Sequence, residues 1–373
     1  MKRLSLKLTM LALPLLMAAV SSSTQSQTST NRATTAAGPA AATDPLPAAG
    51  APLSPASATA EPAAQGAGSN NRSYIFFRGY LFHINRSNGD PAVINAAPGA
   101  VTTSVTDFHY GNEGAFKVEA GWNQNPTGGW GFRASYFYTN QKAQENRTGA
   151  TTAPFFYSTR PLNVLETGAA APGTPATFSE RFRLHVIDLE GTHKWVSGGG
   201  TNSVVVSFGV RIAPSRQTYT AVDTFVTTPE SVTYTQRRTG FGPTGGIDVR
   251  HYLGGGFSWT GAGRVAFLFG KIHETATYTG VTTTSGSGTR NLGRNTPVWE
   301  GESGLEWKTP CCGGEFFVNA SFIVHHWHNL INVTPTPAVG GVAFAGFDNP
   351  AAPPTKIGSI MFIGGSASLG FRF

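Results

Sequence analysis

Ser203-Val-Val-Val-Ser-Phe-Gly-Val-Arg-Ile212 sets Val204, Val206, Phe208, Val210 and Ile212 on one parity and Ser207, Gly209 and Arg211 on the other. Side chains of a strand alternate between the two faces of a sheet, whereas a helix returns to one face every 3.6 residues. The stretch therefore predicts a strand with one apolar and one polar face. Phe116-Lys-Val-Glu-Ala-Gly-Trp122 repeats the pattern, with Phe116, Val118, Ala120 and Trp122 opposed to Lys117, Glu119 and Gly121. Trp130 to Tyr138 does so again, with Arg133 on the polar parity. Ten segments of this character occur, at about 73–85, 114–124, 129–141, 180–195, 202–218, 231–252, 256–274, 295–309, 315–328 and 357–373.

The connections predict how these strands are arranged. Asn125–Gly128, Val196–Thr201, Leu253–Gly255 and Pro310–Gly314 have the Gly/Pro chemistry of tight turns. The others, roughly 86–113, 142–179, 219–230, 275–294 and 329–356, are long and rich in Thr, Ala, Pro and Asn. Short and long connections thus alternate, as in a membrane barrel with tight periplasmic turns and large external loops. With both ends on the short-turn side the strand number is even. Ten satisfies this; Val101–Tyr110 and Phe155–Leu165 could add a pair, which leaves twelve open.

Composition narrows the classes. Only 13% of the 373 residues are charged, where ordinary soluble domains carry about 25%. Gly is abundant at 46, but 25 Phe, 10 Tyr and 7 Trp are too many aromatics for a disordered chain. Helical membrane proteins need repeated apolar runs of about 20 residues, and the only extended apolar run lies at the start. Apolar residues spread thinly through a Gly/Thr/aromatic background suit a transmembrane antiparallel β-barrel, in which alternate residues meet lipid. The expected fold is therefore an all-β barrel of about ten strands.

Residues 1–22 read as a signal peptide, with Lys2, Arg3 and Lys7 before the apolar Leu8–Val20 and small residues after it. Residues 23–72, rich in Ala, Pro, Ser and Thr, read as a disordered tether because they cannot bury enough surface to offset ordering entropy. The barrel is expected over 73–373. Its last strand places Leu369, Phe371 and Phe373 on one face, resembling the sorting signal read by the outer-membrane assembly machinery. Trp122, Trp130, Tyr138, Trp195, Trp259, Trp299, Trp307 and Trp327 fall near strand ends and are expected as girdles at the two lipid interfaces.

If apolar faces look outward, the inward positions include Arg78, Lys117, Glu119, Arg133, Asp188, Glu190, Arg211, Asp248, Arg250, Arg264, Glu300, Glu302, Glu306 and Arg372. An Arg or Lys facing lipid near the midplane costs about 2–4 kcal/mol, which forces these side chains into the lumen. There they either line a watery passage and bias ion flow or pair across the lumen and fill it. Both signs occur in comparable number, and ten strands lie near the narrow end of barrel widths.

Other chemistries have little support. The net charge of +7 is scattered along strands rather than gathered into a nucleic-acid patch. Cys311 and Cys312 are adjacent and suit a vicinal disulfide or a pair of turn thiols; metal would need further ligands. His325, His326 and His328 cannot all face one side of a strand. Asp107 and His109 have the residue types of an acid–base pair at a barrel rim, but an isolated Asp-x-His is common by chance. Gly240–Gly246 lacks the Lys and helix of a phosphate loop. No catalytic residue, metal or cofactor is expected.

A succession of motifs runs Val186-Ile-Asp-Leu-Glu190, Ser207-Phe-Gly-Val-Arg211, Gly240 to Asp248, Gly263-Arg-Val-Ala-Phe-Leu-Phe-Gly270, Glu302-Ser-Gly-Leu-Glu-Trp307 and Phe322 to Trp327. In its order it resembles the Legionella-type major outer membrane protein family, described as pore-forming β-barrels. The resemblance covers about 180–328 and implies an outer-membrane pore without catalytic residues. The expected function is a porin-like channel for passive diffusion of small solutes or ions, with outer-membrane lipid as its surroundings. The alternative is a closed barrel acting as a structural or adhesive surface protein through its long connections.

Overall fold

A computed structural model describes residues 73–87, 91–96, 103–108, 110–111, 113–124, 128–148, 155–158, 175–197, 200–225, 228–279, 286–333 and 356–373. The expected signal peptide and tether lie outside these residues. The strands, in chain order, are β1 (Ser73–Ser87), β2 (Pro91–Ala96), β3 (Thr103–Asp107), β4 (Glu113–Asn123), β5 (Gly128–Thr148), β6 (Phe155–Ser158) and β7 (Pro175–Val196). They continue as β8 (Asn202–Phe225), β9 (Thr228–Gly254), β10 (Phe257–Thr279), β11 (Gly286–Cys311), β12 (Gly314–Val333) and β13 (Lys356–Arg372). No helix occurs among the described residues.

Ten of these strands close into an antiparallel barrel in the order β1-β13-β12-β11-β10-β9-β8-β7-β5-β4. Closure joins β1 to β13, from Tyr74 opposite Arg372 to Ser87 opposite Ser359. Ser73 and Phe373 seal the seam by exchanging backbone hydrogen bonds of 3.2 and 3.0 Å. The segments that might have made twelve strands go elsewhere: β3 and β6 both pair with β2 in a separate three-stranded sheet.

Alternation is realised in the wall. On β8 Phe208 is 72% exposed while its neighbour Ser207 and the next inward side chain, Arg211, are buried. On β7 Ile187 and Leu189 face out between buried Asp188 and Glu190. Outward Trp122, Trp130, Trp195, Trp259 and Trp307 ring the short-turn end. Trp299 lies eight residues beyond Trp307, as Tyr138 does beyond Trp130. Eight residues span about 26 Å along a strand, or about 20 Å of height on tilted strands, most of an apolar band of about 25 Å. Leu369, Phe371 and Phe373 lie on this outer face, the rings of Phe371 and Phe373 stacked at 6.2 Å.

Trp327 is a correction. It is 1% exposed and points inward, 5.7 Å from the Arg211 guanidinium carbon. Its parity is that of buried Ile323 and Phe317, so position near a strand end was the weaker signal.

Most wall strands are longer than expected, and most of the extra length is at the loop end. β8 runs to Phe225 and β9 starts at Thr228, so the connection expected over 219–230 shrinks to residues 226 and 227. Strict alternation of short and long connections fails at this point. Beyond the lipid the outward residues become polar, as in Thr218, Thr220, Thr233 and Thr235, so the alternation signal fades while β-propensity persists. The wall strands β5 and β7 to β12, of 20 to 27 residues, far exceed the roughly 9–11 needed to cross a bilayer. The wall therefore rises well above the membrane.

At the other end the turns are tight. Cys312 and Gly313, with φ of 55° and 82°, form a two-residue hairpin loop of the primed kind. Cys311 and Cys312 are exposed free thiols, their Sγ atoms 3.1 Å apart.

Gly242 on β9 sits at a close approach between strands. A Cβ at this inward position would collide with the backbone oxygen of Phe267 on β10. Gly242→Val is expected to cost about 1–3 kcal/mol through overpacking, read as a lower urea midpoint of the heat-modifiable folded band.

Candidate functional site

The lumen is where the wall gathers charges of both signs into ion pairs. Ion pairs join strands that are not neighbours: Arg78 on β1 reaches Glu302 on β11, Arg133 on β5 reaches Asp248 on β9 at 2.7 Å, and Arg211 on β8 reaches Glu300 on β11 at 2.7 Å. In a closed barrel only the interior offers such paths. All thirteen lumen positions proposed above, with Arg78, take part in ion pairs.

They form two groups. Near the short turns Glu306 holds Arg250 at 2.8 Å and Arg372 at 3.0 Å, and Glu315 holds Lys308 and Arg372. Deeper in, Arg133 donates from Nε and Nη2 to Glu190 Oε2 and from Nη1 to Asp248, with Ser207 as a further acceptor. Arg211 grips Asp188 with Nε and Nη2 and Glu300 with Nη1 and Nη2. Arg264 lies among them, 3.0 Å from Glu190, 3.6 Å from Asp188 and 3.8 Å from Glu300. Its Nε contact with Glu190 Oε1 is a charge contact outside hydrogen-bond geometry. Lys117 pairs with Glu119 at 2.9 Å, and Tyr74 donates to the same carboxylate. Cations and carboxylates nearly balance, and the Arg211 guanidinium has a carboxylate on either side. A buried charge is tolerated only when paired and hydrogen-bonded in this way.

Above the ion pairs sits an apolar layer that the charge list did not include. Phe82, Phe362, Leu184, Ile323 and Trp327 are essentially inaccessible, and Tyr80 and Phe137 are buried beside them. Phe82 and Phe362 meet at 5.3 Å between ring centroids, and Tyr80 and Phe137 at 5.5 Å. The sequence held the signal: Phe82 shares the parity of Arg78, Phe137 that of Arg133, and Leu184 that of Asp188.

Residues after β3 and at the end of β12 also pack at the mouth. Phe108, just after β3, is buried and packs edge-on to inward Tyr219 at 6.1 Å. At Asn329, whose φ is 54°, β12 breaks register with β13. The Asn329 and Leu330 carbonyls accept from Arg238 and Gln236 on β9.

The remaining candidates do not assemble. His325 turns inward toward Phe82, while the His326 and His328 rings meet on the other face at 3.9 Å between centroids, inclined by 49°. Among the described residues no three His, Cys, Asp or Glu side chains converge as a metal would require. His109, the expected partner of Asp107 at the rim, lies outside the described residues.

The sequence model of the family described as Legionella pneumophila major outer membrane protein precursor matches residues 78–347. The chain belongs to that family. Its barrel and this membership together point to the outer membrane. The match runs from β1 through β12 and so includes the deep ion pairs and the apolar layer except Phe362 on β13. No curated protein matches the chain.

Among solved structures, the outer membrane protease OmpT from Escherichia coli aligns with a TM-score of 0.46 and 10% identity, over 82% of this chain and 98% of that one. A Pseudomonas aeruginosa FadL homologue aligns with a TM-score of 0.25 and 8% identity, over 82% of this chain and 90% of that one. Neither likeness carries an argument about activity.

Proposed function

We propose that this member of the family is an outer-membrane barrel whose lumen is closed to free diffusion. It acts as a structural or adhesive surface protein through the wall and connections that rise above the lipid. One observation carries the reading. Arg211, Glu190, Phe82, Phe362 and Trp327 are each at most 1% exposed, although an open lumen would bathe all of them in water. Two chemically different layers, one ion-paired and one apolar, support closure at successive depths. Strands of more than 20 residues from β7 to β11 support a large extramembrane surface. No reaction is assigned to the protein.

Passive passage of small solutes or ions is the second reading, and one observation favours it. The deep layer is held by long charged side chains, so exchanging a few Arg–carboxylate partners would give a wet path that an apolar core could not.

Refolded protein in planar bilayers is expected to show no unitary conductance above bare lipid. Regular conductance steps in most insertions would replace the closed barrel with the channel.

A further inference from the structure

The outer face carries a feature that neither closure nor diffusion uses. Arg183 on β7 lies directly opposite Arg216 on β8, and Arg216 directly opposite Arg237 on β9. Three arginines thus stand side by side across three adjacent strands. One rung further from the membrane, Lys142 faces Arg181.

These residues point outward, because their strand neighbours Phe182, Leu184, Gln217, Gln236 and Arg238 are buried. Adjacent strands are about 4.8 Å apart, and like charges directly opposite destabilise a sheet. Yet among the described residues no carboxylate pairs with Arg183, Arg216 or Arg237. Glu180 and Glu274, the carboxylates of β7 and β10 at this height, are buried on the inward face. The row lacks a counter-ion of its own.

Two further observations point to a ligand. Lys142, Arg181, Arg183, Arg216 and Thr218 line a surface cavity of about 540 Å³, to which inward Glu180 also contributes. Within the same cluster Arg183 Nε is buried without a hydrogen-bond partner.

Height identifies what the cavity meets. Four residues below the arginines lies an apolar rung, Ile187–Ile212–Phe241–Phe269, also in direct register. Four residues are about 13 Å along a strand, or roughly 10 Å of height at barrel tilts of 35–45°. The arginines therefore stand where the polar headgroups of the outer leaflet begin, on the side of the long connections.

We propose that the Arg183–Arg216–Arg237 row, with Lys142 and Arg181, binds the phosphate groups of a phosphorylated glycolipid in the outer leaflet. Planar guanidinium groups suit this anion because each offers two parallel N–H donors to phosphate oxygens. Bound phosphate relieves the repulsion within the row, and the lipid's acyl chains lie against the apolar rung below. The assignment is independent of whether the lumen conducts.

The test uses the full chain folded in neutral detergent, titrated with a diphosphorylated lipid A, with the same lipid dephosphorylated, and with inorganic phosphate. Bound lipid is counted by native mass spectrometry. Wild type is expected to hold the phosphorylated lipid at least tenfold more tightly than the dephosphorylated one, and to ignore free phosphate at equal concentration. Arg183→Gln/Arg216→Gln/Arg237→Gln is expected to erase that difference. The same variant should be no less heat-stable than wild type without lipid, since it removes like-charge contacts, so lost binding is not lost folding. Equal binding of the two lipids by wild type overturns the proposal, as does an unchanged preference in the variant. Free phosphate binding as tightly as the lipid would overturn the lipid assignment.

Discussion

Arg211→Ala is expected to lower the stability of the folded barrel by about 3–5 kcal/mol, the usual cost of removing one partner from a buried ion pair. Arg211 is 1% exposed and provides every hydrogen bond that Glu300 accepts in the cluster and two of those at Asp188. Without it the two carboxylates keep Arg264, at 3.6 and 3.8 Å, and Asp188 keeps the Ser135 hydroxyl at 3.4 Å. The loss should appear as a fall in the urea midpoint at which the heat-modifiable band disappears, measured in vesicles of fixed composition. A triple variant, Arg211→Met/Asp188→Asn/Glu300→Gln, should recover most of it, because it removes the stranded charges along with the cation. A loss below about 1 kcal/mol for Arg211→Ala would mean that water already reaches these carboxylates, and the closed lumen would fall with it.

Trp327→Ala is expected to cost a similar amount, about 3–5 kcal/mol, by a different mechanism. The indole is among the largest fully buried side chains and bridges the two lumen layers, with Ile323 in the apolar layer and the Arg211 guanidinium within 5.7 Å. Truncation leaves a cavity in a wall that is hydrogen-bonded on both sides and has little freedom to collapse. Trp327→Phe should lose less than half as much, since a ring still fills the space. The same urea midpoints decide. Equal losses for Phe and Ala would show that the indole contributes through its N–H or its charge contact and not through filling volume.

These two residues mark how far the lumen was legible in the sequence. Arg211 was readable from parity alone: a cation between Val210 and Ile212 on a lipid-facing strand has only the inside to go to. Trp327 was misplaced because tryptophan near a strand end is also the mark of a lipid girdle. The apolar layer stayed hidden because an aromatic on the inward parity breaks the polar pattern without announcing where it goes. Phe82 and Phe362, 280 residues apart in the chain, become partners only when β1 and β13 close the seam, where Phe82 faces Gly364 and Ile84 faces Phe362.

The sequence by itself determined the fold class, ten candidate wall strands with twelve left open, and the inward face of the lumen charges from Arg78 to Arg372. Alternation is a local property, and lipid enforces it residue by residue. Tertiary structure alone decided which charges meet, that an apolar layer lies above them, that β2, β3 and β6 leave the wall, and that three arginines share one outward rung. Each of these depends on register between strands and on closure of the barrel. Register is set by the hydrogen-bonded ladder as a whole, and a slip of one residue would turn every side chain of a strand to the other face.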